Sequence, residues 1–207
     1  MIIWHPAGKI KFKSLNRIEK LADETSGLFL ELDQAIAQFQ NESGIHCKFG
    51  CGKCCLKPDI EAAVLEFIPF ALQVYREGTS SVWLEKISAG GTICVILDER
   101  QAGQGHCSQY LYRGMICRLF GYAARRNKYD KKELVTCQII KTELSVAYER
   151  ASDQINSSMQ VPMITDYYLK LKSIDPELGN TFLPVNEAIK RAIEQVETYM
   201  GYLQQEG

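Results

Sequence analysis

The chain has 207 residues, 46% of them hydrophobic and 24% charged, with a formal net charge of −1 at pH 7. Those values suit a soluble globular protein, either one large domain or a core with helical additions. The near-zero charge gives no overall pull toward nucleic acid or an anionic membrane. The longest apolar stretch, Ala62 to Val74, is broken by Glu66, Pro69 and Gln73 and is too short for a bilayer span.

In chain order, residues 1–13 read as a short mixed arm. The arm has no apolar run followed by a small-residue cleavage site, so a structured start and a cytoplasmic location are expected. Residues 16–40 predict a helix, with a capping box from Asn16 and Glu19 and an apolar stripe of Leu28, Leu32, Ile36 and Phe39. Asn41, Ser43 and Gly44 break that pattern. Residues 59–77 predict a second helix capped by Asp59, kinked or split at Pro69. A short helix is expected over 80–88, ending at Gly90-Gly91. The β-branched pentad Ile93 to Leu97 is the best strand candidate, and Gly103 and Gly105 mark a turn. Residues 132–150 and 153–172 look helical, the second bent by Pro162. Pro184 opens a last helix to about Leu203, with Ala188, Ile189, Ala192, Ile193, Val196 and Tyr199 on one stripe. The fold class is mainly α, with a loop-rich eight-cysteine core, minor β structure, and N- and C-terminal helices flanking it. No repeat or low-complexity tract is present.

The chemistry is concentrated in eight cysteines: Cys47, Cys51, Cys54, Cys55, Cys94, Cys107, Cys117 and Cys137. Thiols this crowded are oxidised, metal-bound or chemically active. An even count raises a disulfide framework. A chain of this length does not need staples, however, and a cytoplasmic location disfavours them. A bond between Cys54 and Cys55 would strain the peptide between them. Metal binding is the favoured reading. Cys51-Gly-Lys-Cys54 resembles a metal knuckle, in which two intervening residues let both thiolates reach one ion and Gly52 frees the backbone. Cys54 and Cys55 are adjacent and diverge, so they are expected to serve different sites, or one packs inside. The remaining cysteines are singletons, unlike the two pairs of a zinc ribbon. Thiolate ligands favour zinc or an iron–sulfur cluster over magnesium or calcium. Lys48, Lys53, Lys57, Arg113 and Arg118 lie near the cysteines and could offset the thiolate charge, or be ordinary solvated surface. His46 and His106 each precede a cysteine, which suits a role outside the ligand set better than ligation.

The cysteine pattern resembles the YkgJ-type cysteine-cluster family with its CxxxCxxCC signature, matched by Cys47-x3-Cys51-x2-Cys54-Cys55. Further along, Cys94-Val-Ile-Leu-Asp98, Cys107-Ser-Gln-Tyr110, Tyr110-Leu-Tyr-Arg113-Gly-Met-Ile-Cys117-Arg118 and Cys137 look like the family's later segments. Gly114 stands where the family usually has proline, and Gln109 where isoleucine is frequent. The resemblance covers about residues 47–145. It implies a zinc- or iron-chelating domain with all eight cysteines as metal residues, and zinc or an iron–sulfur cluster as cofactor. The resulting division is an arm and helix at 1–45, a cysteine-cluster domain at 46–145 and a helical extension at 146–207. The expected function is metal binding without an assigned reaction. The alternatives are a structural zinc module whose terminal helices meet a protein partner, or an iron–sulfur transfer enzyme, since a flagellin lysine methylase is similar in its cysteine motif. Whether the chain is an enzyme is left open. Neither nucleic acid nor a membrane is expected as a partner.

Overall fold

Helix α1, Arg17–Ser43, begins where Asn16 accepts a hydrogen bond from the Glu19 N–H and Glu19 reciprocates to the Asn16 N–H. This is the expected capping box. The computed structural model describes residues 16–48, 50–101 and 104–205; the expected N-terminal arm and Gly103 lie outside these. The helix runs three residues past the expected end because Ser43 is still buried, and Gly44 terminates it in the left-handed conformation. Its buried residues, among them Leu28, Leu32, Ile36 and Phe39, repeat at helical spacing.

The described residues are mainly helical, with small two-stranded sheets. Strand β1, Glu61–Ala63, leads through a 3-10 turn, Val64–Phe67, into α2, Ile68–Arg76. The helix expected from residue 59 is thus a strand and a turn in its first half. Pro69 sits in the first turn of α2, where its missing N–H costs nothing. Helix α3, Ser80–Ser88, matches expectation. The pentad Ile93 to Leu97 is not a strand. Only Leu97 enters β2, Leu97–Gln101, which pairs antiparallel with β3, Gln104–Cys107. The preceding residues instead turn around Cys94, and Asn186 holds them: it accepts from the Val95 N–H at 2.8 Å and donates to Ile93 O at 2.8 Å.

Helix α4, Met115–Leu119, is followed by the hairpin β4, Ala123–Arg126, and β5, Lys132–Val135. The helix expected over 132–150 therefore starts as strand and becomes α5, Gln138–Glu143, and α6, Ser145–Gln154. The one expected over 153–172 begins only at α7, Ile164–Ile174, after Pro162. Pro162 precedes that helix and does not bend it; its carbonyl accepts from the Ala124 N–H. Strand β6, Phe182–Pro184, pairs antiparallel with β1 and leads into α8, Val185–Gln205. Among the described residues no helix is long and apolar enough to cross a membrane.

Helix α2 lies between α1 and α8 and packs on both. Phe67, Phe70, Leu65 and Ile68 from this segment have at most 1% exposure, and Ala188, Ile189, Ala192, Ile193 and Val196 of α8 have none. Trp83 from α3 meets Phe70 edge-on at 5.1 Å. Leu32 is fully buried whereas Leu30, two residues before it, is 62% exposed. Leu32→Ala is expected to cost about 2–5 kcal/mol and Leu30→Ala less than about 0.5 kcal/mol, as read by chemical denaturation.

Candidate metal centre

The cysteines come from six places on one side of the core. Cys47 and Cys51 lie in the loop after α1, Cys54 and Cys55 in the 3-10 turn Lys53–Leu56, and Cys94 in the turn before β2. Cys107 ends β3, Cys117 is in α4 and Cys137 caps the start of α5. All eight are free thiols.

Close backbone contact joins the first loop to the hairpin. Gly52 has φ +56°, and a Cβ built there would lie 2.7 Å from Gly105 O. The Gly105 N–H donates to Gly50 O at 3.2 Å. The β3 chain therefore lies directly on the Cys51–Cys54 segment, carrying Cys107 toward Cys54. Within the hairpin Leu97 is opposite Cys107, and Ser108 donates from both its N–H and its hydroxyl to Ile96 O, which brings the Cys94 turn alongside.

The thiols act electrostatically as two groups joined by Cys54. Burial pushes Cys47 up to about 11, and charge on Cys51, Cys54 and Cys137 pushes in the same direction. The Cys47 N–H is held by the Tyr122 hydroxyl at 2.8 Å. Cys47, Cys51 and Cys137 also line one concavity of about 200 Å³ together with His46, Lys48 and Glu143. In the other group, burial raises Cys94, Cys107 and Cys117, and these three feel one another's charge. Cys55 is raised first by its contact with Cys54, then by burial and by charge on Cys54, Cys117 and Cys94.

The Cys54 and Cys55 sulfurs are 4.0 Å apart, closer than the divergence of neighbouring side chains suggests. The 3-10 turn holds them side by side. Cys54 is pulled down chiefly because the Cys55 thiol donates to it, with backbone N–H groups and the Arg113 charge adding to the effect. The close contact lets the pair share one proton, which favours a single negative charge on the two sulfurs.

Several thiols face backbone donors. The N–H groups of Ile96 and Leu97 favour a charged Cys94, and that of Gln109 favours a charged Cys107. A neutral thiol gains little from such donors, whereas a thiolate gains much. Arg113 and Arg118 add positive charge at Cys107. Neither is plain solvated surface. Arg118 is 4% exposed, ion-paired to Asp33 of α1, and donates to the carbonyls of Arg113 at 3.0 Å and Leu111 at 2.7 Å. Its guanidinium lies over Phe29. Arg113 stacks on Tyr110 at 4.3 Å, and its Nε is buried with no protein partner. Eight soft donors, donor N–H groups aimed at sulfur, and an orphaned guanidinium N–H together fit a thiolate-held metal. Among the described residues no three His, Cys, Asp or Glu side chains already form a group able to hold an ion.

Glu66 and Asn186 escape sequence reading, the first as a mere interruption of an apolar run and the second without any local signal. Glu66 has no exposed surface. It accepts from the N–H groups of Ala63 at 2.8 Å and Ile116 at 3.0 Å and from the Tyr168 hydroxyl at 3.2 Å. It thereby fixes the start of α4, the helix that carries Cys117. Gly114 has φ −62°, an angle that proline also adopts. The reason for glycine is room: a Cβ would lie 2.8 Å from the Glu66 carboxylate. His46 reaches the concavity of Cys47, whereas His106 is exposed on β3 opposite Asp98.

This architecture defines a cysteine-cluster domain embedded in a helical core. Residues 46–138, which contain all eight cysteines, match the model of the CxxCxxCC family, described as "Putative zinc- or iron-chelating domain". Searches of curated proteins and of solved structures found no match.

Two outcomes test the geometry. Gly52→Ala is expected to lower both stability and metal content per chain, because it adds the Gly105 clash to backbone strain. Gly90→Ala, at φ +85° with nothing within 4 Å, should lose only about 1 kcal/mol and keep its metal. Burial raises Glu66 from 4.5 to about 7. The folded state then binds the proton more tightly, so its stabilising contribution is present below pH 4.5 and lost as pH rises through 7. Denaturation curves should show Glu66→Gln gaining on the wild type by about 3 kcal/mol across that window, and no further above it.

Proposed function

We propose that the eight cysteines are metal ligands in two neighbouring sets and that the cell supplies them with iron–sulfur. Cys55, Cys94, Cys107 and Cys117 form the inner set, and Cys47, Cys51 and Cys137 the outer one, with Cys54 between them. The observation that carries this reading is the alignment of backbone N–H groups and arginine charge on sulfur, which stabilises thiolates and sets the potential of iron–sulfur centres. A cluster bound here would supply one-electron chemistry. The protein's own part is to half-bury the inner thiols, to offset their charge with Arg113 and Arg118, and to hold α4 through Glu66. A reducing compartment such as the cytoplasm suits eight free thiols.

A structural zinc role is the second reading, favoured by the Asn186 clasp. The first turn of α8 holds the Cys94 turn, so metal binding and terminal-helix packing reinforce one another. In either case the segments 1–45, 46–145 and 146–207 work as one unit, supported by the shared packing of α1, α2 and α8.

Metals and acid-labile sulfide per chain, measured on protein purified without oxygen, are the test. Iron with matching sulfide is expected; zinc without sulfide would overturn the iron–sulfur reading in favour of the structural one. Cys55→Ser with Cys117→Ser, and Cys47→Ser with Cys137→Ser, should each remove a different part of the bound metal. Loss of all metal from both variants would mean one shared centre.

A further inference from the structure

The hairpin of β4 and β5 carries a charge at odds with the rest of the chain. Residues 125–133 hold five cationic side chains against two carboxylates, in a protein whose net charge is −1. Two of the cations are matched: Arg126 pairs with Asp130 at 3.0 Å and Arg125 faces Glu133 at 3.9 Å. Lys128, Lys131 and Lys132 have no acidic partner among the described residues. Lys128 and Lys131 are exposed. Beside them Tyr129 is 70% exposed, with the Lys128 ammonium 4.9 Å from its ring centre.

This tip is held in place. Asn127 accepts from the N–H groups of Tyr129 at 2.9 Å and Lys131 at 3.1 Å, and Asp130 takes φ +60° to close the turn. At the root, Asn156 accepts from the Lys132 N–H and donates to its carbonyl, and Pro162 O accepts from the Ala124 N–H. Arg125, Arg126, Asn127, Lys128, Tyr129 and Glu133 line an open concavity of about 440 Å³ on the tip.

We propose that this hairpin is a binding surface for single-stranded nucleic acid. The unpaired lysines take backbone phosphates and Tyr129 gives a base a face to stack on, the combination that holds single strands without reading their sequence. The partner is anionic because the tip is cationic. It is a nucleic acid, not an acidic peptide or a lipid surface, because an exposed aromatic ring beside the cations suits a base. The surface is separate from the thiols, so the inference does not depend on which metal they hold. The sequence expectation that excluded nucleic acid used the net charge, which hides this local segregation.

The test is fluorescence anisotropy of labelled oligo(dT) and oligo(rU) with metal-loaded full-length protein between about 50 and 200 mM salt. Saturable binding is expected, with a log–log salt slope of about −2 for three phosphate contacts on a single strand. Lys128→Glu with Lys131→Glu should flatten that slope and weaken binding at least about tenfold. Tyr129→Ala should weaken it about fivefold to a hundredfold while leaving the slope unchanged, and Tyr129→Phe should retain it. All these variants are at exposed positions and should load the wild-type amount of metal. Absence of binding at 50 mM salt, or variants that bind like the wild type, would overturn the proposal. So would anionic vesicles or a polyglutamate peptide competing through the same lysines while oligo(dT) does not bind.

Discussion

Glu66 takes hydrogen bonds from three separate parts of the chain at a point with no access to water: Ala63 in β1, Ile116 in α4 and Tyr168 in α7. A carboxyl in such a place is costly unless every lone pair is met. Ala63 is a local partner, the cap of the 3-10 turn that carries Glu66, whereas Ile116 and Tyr168 are brought to it by the fold. Removing the group would leave two backbone N–H groups and a hydroxyl without a partner inside the core. The packing of β1 on β6, the seat of α7 and the start of α4 thus share one polar junction. Gly114 belongs to it, because only a residue without Cβ leaves space for the carboxylate. The position of Cys117 follows from this junction more than from anything in its own short helix.

Charge is the second constraint. Several thiolates in one place repel, and burial raises the cost. The chain answers with backbone N–H groups at Cys94 and Cys107 and with two arginines that come in from the side of α1. Arg118 could not stay buried alone. Asp33, two backbone carbonyls and the face of Phe29 satisfy it, which binds the long first helix to the cysteine domain. Arg113 is only partly satisfied, with its buried Nε unpaired. An arginine in that state suits a site whose charge is completed by something other than protein.

Helix α8 contributes from the opposite direction. Its apolar stripe packs into the core, while Asn186 in its first turn holds the residues around Cys94. One helix therefore serves as both core element and brace for a thiol loop. The basic hairpin is different: it lies in sequence between Cys117 and Cys137, yet its cations extend outward from buried Ala123 and Ala124.

The sequence by itself determined the long helices and the place of the chemistry. The capping box at Asn16, the stripes of α1 and α8 and the family pattern over residues 46–138 are all local or periodic signals. It misled at residues 59–67, 93–96 and 132–135, where short apolar or mixed runs take their conformation from a partner strand, far along the chain for β1 and across a hairpin for β5, or from Asn186. Tertiary structure alone decided which of the distant thiols are neighbours, and that Arg118 and Glu66 are buried. The physical reason is that periodicity reports which face of an element is apolar, while the proximity of two thiols or the burial of a charge depends on groups far apart in the chain being folded against each other.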